Sequence, residues 1–247
     1  MSYPNNKKSD EMYAKLHLSE ERIELLRQYF EAANNFYQLI PLKRLLRIIN
    51  SQNSEHYSEE DFLNYAEITQ CERHFFDILG EDELFEGVQE SKPIYRLLVH
   101  ESLLEFDDYM ELYSEKEGRP YYVPEKDKLL AYADEYYIEH TPQYLAMCDF
   151  FRPMLKNKDD EALEEIMSEI LFIIKSENSD PYEAQDMLSV TFKTISINQR
   201  KMPEFVSLYC DLHNNTRLPC LNCFTPNEWI ERTGNKNDSR YIEPEDF

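Results

Sequence analysis

The fold is decided by residues 42–69, LKRLLRIINSQNSEHYSEEDFLNYAEIT. Residues 42–50 carry apolar side chains at helical spacing, and the polar turn that follows leads to Ser58, a good N-cap for a second helix. The exposed face of the first helix is basic, with Lys43, Arg44 and Arg47. Two short helices across a turn predict a helix-turn-helix-like unit.

The next stretch predicts a small β-hairpin. HFFDIL (74–79) and ELFEGV (83–88) are short apolar runs on either side of the turn Gly80-Glu81-Asp82. A hairpin after two helices predicts a winged helix-turn-helix-like unit near residues 42–90. A helical bundle with an irregular connection is the alternative, because short apolar runs suit helix and strand equally.

Helix signals extend in both directions from this region, so the predicted fold class is mainly α and multi-helical. Upstream, Ser19 is an N-cap before a helix with apolar residues at helical spacing through Tyr37. Downstream, the expected helix starts are marked by proline and not by glycine, since proline fits the first turn of a helix. These prolines are Pro124, Pro142, Pro181, Pro203 and Pro226.

The predicted domain organisation has four parts. A flexible N-terminus covers 1–18, the helix-turn-helix-like unit with its possible wing covers 19–120, a helical body covers 121–234, and an acidic tail covers 235–247. The chain contains no fixed-period repeat and no linker rich in Gly or Ser.

Composition excludes several classes of function. The 247 residues carry a formal net charge of −23 and only four glycines, so the chain has no glycine-rich turn of the kind that cradles phosphates. A surface this acidic disfavours nucleic acid and anionic membranes. There is no long apolar run, and the five cysteines are an odd, scattered set typical of reduced thiols. We expect a cytoplasmic protein.

A zinc site is the sharpest chemical candidate. The chain places a Cys-x2-His pair six residues before a Cys-x2-Cys pair, and four such ligands can hold zinc tetrahedrally. The ligands would be Cys210, His213, Cys220 and Cys223. The alternative, which we favour, is a set of buried and reduced thiols near the end of an amphipathic helix.

Catalytic motifs are absent from the sequence. It contains no Glu-x-x-His, His-x-x-x-His, P-loop, nucleophile elbow or kinase signature. We therefore predict no catalytic residue, no cofactor-binding residue and no enzymatic activity.

Two groups of residues are candidates for an interaction surface, in addition to the basic face of the first helix. One is an acidic row formed by Glu105, Asp107, Asp108, Glu111 and Glu115. The other begins with Tyr121 and Tyr122, because tyrosine supplies rigid contact area with a polar tip. For the tyrosines, packing in the core or at its boundary is the favoured alternative.

Three parts of the chain between residues 39 and 229 carry a family resemblance: LIPLKRLLRIINSQN with SEEDFL, RPYYVPEKDKLLAYADEYYIEHTPQY, and HNNTRLPCLNCFTPNEW. Together they resemble an uncharacterised family of Gram-positive bacterial cytoplasmic proteins. Family members typically run Asn-Asn-Thr-Arg-Leu-Trp through a Gly to Thr-Pro-Asn-Glu in the last segment. Here Pro219 takes the Trp position and Cys223 the Gly position, which suggests that the cysteine pair is peculiar to this chain.

The resemblance implies a helical fold and a bacterial cytoplasmic location but no agreed activity. Some relatives end in a SEC-C zinc motif, whereas this chain ends in Tyr241–Phe247 without one. The matching residues of the last segment have a structural interpretation, since Thr225 and Glu228 form a capping box and Trp229 can anchor the helix. This structural motif comprises Asn214, Asn215, Thr216, Arg217, Thr225, Pro226, Asn227, Glu228 and Trp229.

The function that we expect is protein-protein interaction or regulation without catalysis, with a basic protein as the partner. The first alternative is a DNA mimic whose acidic rows occupy a nucleic-acid-binding protein of a phage or a defence system. The second is a small zinc-containing or ligand-binding protein. A DNA reader is disfavoured, because the second helix of the pair begins Glu59-Glu60-Asp61 and would repel phosphates.

Overall fold

The structure is a computed structural model that describes residues 11–90, 92–155, 160–176, 180–192, 195 and 197–247. Residues 1–10 of the predicted flexible N-terminus lie outside these ranges. The described chain is mainly helical with a small three-stranded antiparallel sheet, which confirms the predicted fold class. Among the described helices, none has both the length and the apolar character to cross a bilayer.

The chain divides into two compact units. Described residues up to Gly118, together with Tyr122–Tyr137, form the N-terminal unit. Arg119–Tyr121 and the described residues from Ile138 onward form the C-terminal unit. The chain thus crosses between units close to the predicted boundary at residue 120 and then returns to the first unit for one short helix.

From Glu20 onward, the described residues of the N-terminal unit form seven α-helices and three strands. In chain order they are α1 (Glu20–Tyr37), β1 (Leu39–Pro41), α2 (Leu42–Gln52), α3 (Glu59–Thr69), β2 (Phe76–Leu79), α4 (Glu81–Leu84), β3 (Leu97–His100), α5 (Glu101–Glu105), α6 (Tyr109–Lys116) and α7 (Lys126–Ala131). A 3-10 turn, Pro93–Tyr95, precedes β3.

The sheet has the strand order β1-β3-β2 and is antiparallel throughout. Leu98, at its centre, is paired with Ile40 on one side and with Ile78 on the other. The order helix, strand, helix, helix, strand, strand, with the last strand in the middle, is that of a winged helix-turn-helix. In this arrangement α2 and α3 are the helix-turn-helix, and the connection between β2 and β3 is the wing.

The prediction of which segments form the strands of the wing is wrong in one respect. Its second strand is β3, whereas the predicted strand at 83–88 begins inside the short helix α4. Gly80 lies at the N-cap of α4, and its N–H donates to Glu83 Oε2 at 2.7 Å. Three acidic residues in the first turn stabilise the positive end of a helix, so this segment is helical and leaves β2 to pair with β3.

Helix boundaries follow the local signals closely. Ser19 and Ser58 cap α1 and α3 as predicted, and Pro41 directly precedes α2. Gly118 adopts a φ of 72° just after α6, the left-handed conformation expected beyond a helix end. Pro124 is the exception, because it lies two residues before the start of α7 instead of in its first turn.

An aromatic cluster holds the N-terminal unit together. The ring of Phe30 on α1 lies 5.3 Å from that of Phe62 and 5.1 Å from that of Tyr65, both on α3. It lies 6.2 Å from the ring of Phe76 on β2. All four residues are buried, so one side chain joins the first helix to the helix-turn-helix and to the sheet.

The regular secondary structure in the described part of the C-terminal unit is helical. Its helices are α8 (Pro142–Phe151), α9 (Asp160–Lys175), α10 (Pro181–Thr191), α11 (Met202–Asn214) and α12 (Pro226–Thr233). Proline occupies the first position of α8, α10 and α12 and the second position of α11, as the sequence predicts. Helices α8 and α11 pack together through Phe150, Phe151 and Phe205.

The predicted acidic tail packs on this unit. The Asn214 side chain at the end of α11 donates to Ile242 O at 2.7 Å and accepts from Ile242 N at 3.0 Å. Ile242 is itself buried. An amide that pairs with both backbone groups of one residue fixes the tail in a defined position.

His74 connects the segment before β2 to α1. Its Nδ1 lies 2.8 Å from Glu31 Oε1 and its Nε2 lies 3.5 Å from Glu72 Oε2, while the ring stacks on Phe76. Burial acts to lower the pKa of His74, but the hydrogen bond and charge of Glu31, together with Glu72, outweigh burial and raise it. The protonated imidazole is therefore more favourable in the folded chain than in the unfolded one.

We expect His74→Gln to destabilise the protein at mildly acidic pH by about 1.5–3 kcal/mol, the net value of a hydrogen bond to a charged group. Because the folded pKa is raised, the stabilisation is fully present below the unfolded histidine value, about 6.5, and is lost as the pH rises through the folded pKa. Urea unfolding at pH 5.5 and pH 9 measures the difference. The exposed His56→Gln is the matched control, and an equal loss at both pH values for His74→Gln would contradict the assignment.

Candidate functional site

The connection between α5 and α6 forms an exposed acidic turn with apolar side chains within it. Glu105, Asp107, Asp108 and Glu111 are all exposed, which agrees with the surface position expected for the acidic row. Phe106 in this turn is 68% exposed, and Met110 at the start of α6 is 52% exposed. We call these six residues, Glu105 to Asp108 with Met110 and Glu111, the acidic corner.

The connection between α5 and α6 is short and has one unusual backbone conformation. Asp107 has a φ of 60°, in the left-handed region that aspartate tolerates better than most residues. Three residues, Phe106 to Asp108, separate the end of α5 at Glu105 from the start of α6 at Tyr109. Phe106 lies in this connection with most of its surface in solvent.

The remaining predicted interaction residues are less exposed. Glu115 is half-buried on α6, so it does not continue the exposed acidic row. Tyr121 and Tyr122 are half-buried as well, and Tyr37 donates its hydroxyl hydrogen to Tyr122 O at 2.8 Å. This contact and the nearby ring of Phe36 give Tyr122 a packing role in the N-terminal unit.

The basic face of α2 lies on the surface as predicted. Arg44 and Arg47 are exposed, whereas Lys43 is half-buried because its ammonium donates to the Tyr95 hydroxyl at 2.9 Å and lies 4.5 Å from the centre of that ring. Lys43 and Arg47 line a groove of about 780 Å³ beside the turn between α2 and α3. We call it the basic groove.

The parts of a winged helix-turn-helix that would approach a nucleic acid are acidic here. Helix α3 takes the recognition position and has three acidic residues in its first turn, with Glu59 and Glu60 exposed. The wing adds the acidic first turn of α4 and the exposed Glu86 and Glu90. Phosphates would be repelled by both elements, so the fold alone does not make this unit a DNA reader.

Arg217 is the centre of an ion-pair network in the C-terminal unit. Its guanidinium donates to both carboxylate oxygens of Glu228, at 2.9 and 3.3 Å, and to Cys223 O at 3.1 Å. A third group, Glu139, places an oxygen 3.6 Å from Arg217 Nε. The Arg217 side chain is only 16% exposed, so this bidentate pair is well shielded from solvent.

Glu228 serves two purposes at once. Its Oε2 accepts from Thr225 N at 3.1 Å, and its own N–H donates to Thr225 Oγ1 at 3.1 Å, which completes the predicted capping box of α12. The same carboxylate holds Arg217, which belongs to the segment that follows α11. The predicted structural motif therefore joins two helices through one glutamate.

The other motif residues support the same junction. Asn227 donates to Asn215 Oδ1 at 3.2 Å, and Thr216 donates its hydroxyl hydrogen to Leu212 O at 2.7 Å. Trp229 is buried, with the Arg119 guanidinium 4.9 Å from the centre of its ring. A cleft of about 480 Å³ lies beside Arg217, Asn227 and Glu228, but Arg217 and Glu228 in its wall already bind each other.

The four predicted zinc ligands do not form a metal centre. Among the described residues, no group of three or more His, Cys, Asp or Glu side chains is arranged to hold a metal ion. Cys210 and His213 lie on α11, Cys220 lies in the 3-10 turn Pro219–Leu221, and Cys223 follows this turn. All are buried, and the cysteines are free.

Electrostatics favours the uncharged forms of two of these side chains. Burial raises the pKa of the Cys210 thiol to about 11, with Asp246 and Asp211 adding to the shift. Burial lowers the pKa of His213 to about 4, against a hydrogen bond with Asn214. A thiol and a neutral imidazole in the core match the alternative interpretation of buried and reduced cysteines.

No protein family, curated protein or solved structure matches this chain. The functional interpretation is therefore based on the geometry of its own side chains.

The sequence did not single out the apolar members of the acidic corner. The only signal for them in the sequence was that two apolar residues, Phe106 and Met110, occur within an acidic run. Ile94 and His56, which line the basic groove, were missed because the groove joins the α2–α3 turn to the turn before β3. That proximity depends on pairing in the sheet and has no local signature.

We expect Glu228→Gln to destabilise the protein by about 1–3 kcal/mol, because a shielded Arg217 loses its charged partner. Glutamine can still complete the capping box, so the variant isolates the ion pair from the cap. Chemical denaturation measures the difference from the parent protein. Glu231→Gln, an exposed position on the same helix, should change stability by less than about 0.5 kcal/mol. Equal effects of the two variants would refute the role of the ion pair.

Proposed function

We propose that the protein acts without catalysis and binds a basic segment of a partner protein at the acidic corner. The observation that carries this proposal is the exposure of Phe106 and Met110 among four exposed carboxylates. Large apolar side chains that stand in solvent within a charged turn are typical of anchors for a partner. Ordinary surface charge does not account for them.

The two kinds of side chain would have different tasks in this complex. Phe106 and Met110 offer apolar area that becomes buried on association, and Met adapts its shape to an uneven partner surface. The carboxylates around them attract Lys and Arg, which accelerates encounter and excludes acidic competitors. The matching ligand is a segment that carries apolar side chains between basic ones.

Two features favour a protein over a nucleic acid as the partner. The acidic first turn of α3 and the acidic wing oppose contact with phosphates at the positions where a winged helix-turn-helix uses them. The apolar pair in the acidic corner also needs apolar area on the other side. A DNA mimic binds its partner through the cations with which that partner normally holds phosphates. Such a partner would leave Phe106 and Met110 without an apolar counterpart.

We expect the parent protein to capture a Lys- and Arg-rich partner from a cell lysate, and the double variant Phe106→Ser, Met110→Ser to lose at least about tenfold in affinity for it. The captured partner is purified and titrated by calorimetry at low and high salt. Salt should weaken the complex, because the carboxylates contribute through screened charges.

Phe172→Ser is the matched control for this experiment. Phe172 on α9 is 63% exposed and has acidic residues on the same helix, but it lies outside the acidic corner. The proposal fails if the partner binds the double variant as tightly as the parent protein, or if Phe172→Ser weakens binding to the same degree.

A further inference from the structure

The basic groove is a concave site that the acidic corner does not use. Its volume of about 780 Å³ lies within the range of small-molecule sites, and both of its walls belong to the N-terminal unit. Lys43, Leu46 and Arg47 line it from α2, and Ile94 lines it from the turn before β3. His56 and Glu59 line it near the start of α3.

The charge of this groove stands out from the rest of the molecule. Two permanent cations and a histidine face one carboxylate, in a chain whose formal net charge is −23. Lys43 and Arg47 are four residues apart on α2, so their side chains lie on the same face of the helix. Within the described part of the chain, Arg47 makes no hydrogen bond or ion pair, so its guanidinium remains available to a ligand.

Lys43 is only partly occupied. It uses one N–H to donate to the Tyr95 hydroxyl, and an ammonium group has three N–H donors. The contact with Tyr95 holds the ammonium at the edge of the groove, since the hydroxyl and the face of the ring both attract it. A held ammonium one helical turn from an exposed guanidinium suits the oxygens of a phosphate group.

The apolar part of the lining completes the ligand description. Leu46 and Ile94 line the groove with apolar side chains that form an apolar patch, and side-chain amides and hydroxyls of the α2–α3 turn line it as well. A free phosphate ion would leave this patch bare. An organic phosphate would cover it with its body while its charge meets Lys43 and Arg47.

We propose that the basic groove binds a small organic phosphate, with the phosphate on Lys43 and Arg47 and an apolar or aromatic body on Leu46 and Ile94. Glu59 weakens this binding because its carboxylate lines the same groove. The proposal does not depend on the partner of the acidic corner, because it involves a separate surface.

Calorimetric titration of the full chain with ADP tests the site, with inorganic pyrophosphate and a 12-base-pair DNA duplex as comparisons at constant ionic strength. We expect one ADP per chain, bound more tightly than pyrophosphate. Arg47→Gln should weaken ADP binding about tenfold or more, the effect of losing a charge-assisted contact. Glu59→Gln should tighten it several-fold, because a repulsive charge is removed.

Arg44→Gln is the matched control, since Arg44 is an exposed arginine on the same helix that does not line the groove. It changes the net charge as much as Arg47→Gln does and should alter ADP affinity by less than about twofold. The proposal is overturned if Arg44→Gln and Arg47→Gln have equal effects, if Glu59→Gln does not tighten binding, or if pyrophosphate or the duplex binds more tightly than ADP. Circular dichroism of each variant confirms that it is folded.

Discussion

The ring of Phe30 is the constraint on which the N-terminal unit depends. It joins α1 to two aromatic residues of α3 and to the first wing strand, so the helix-turn-helix and the sheet cannot move independently of α1. Helix α2 buries its own apolar residues Leu42, Leu45, Ile48 and Ile49. The basic residues of α2 are left on the surface as a consequence, beside the turn where the groove forms.

The element order of a winged helix-turn-helix does not determine the use of this unit. In such a fold, sequence reading requires cations on the recognition helix and contacts from the wing. Here α3 begins with three acidic residues and α4 adds three more within the wing. The same backbone arrangement therefore presents an acidic surface that repels phosphates, which illustrates that function is set by side chains grafted on a fold.

Local features of this structure could be predicted from the sequence, and non-local ones could not. Ser19, Ser58 and Thr225 mark helix starts correctly because a cap depends on its own hydrogen bonds within one turn. The partner of β2 was misplaced because strand pairing depends on the core and not on chain distance. The acidic run was expected at the surface, but no periodicity indicated that Phe106 would stand outside the core.

Two arginines, Arg217 and Arg47, differ in whether their charge stabilises the fold or is available for binding. Arg217 is shielded and meets two carboxylates and a carbonyl, so its charge is balanced within the C-terminal unit. Arg47 is exposed, lines a concave surface and has no ion pair within the described residues. A guanidinium that stays in water does not lower the stability of the fold. A guanidinium that is shielded from water needs charged or hydrogen-bonding partners to avoid a loss of stability. In a chain with this excess of acid, an arginine that faces a groove without a carboxylate partner marks the groove as a place where an external anion can bind.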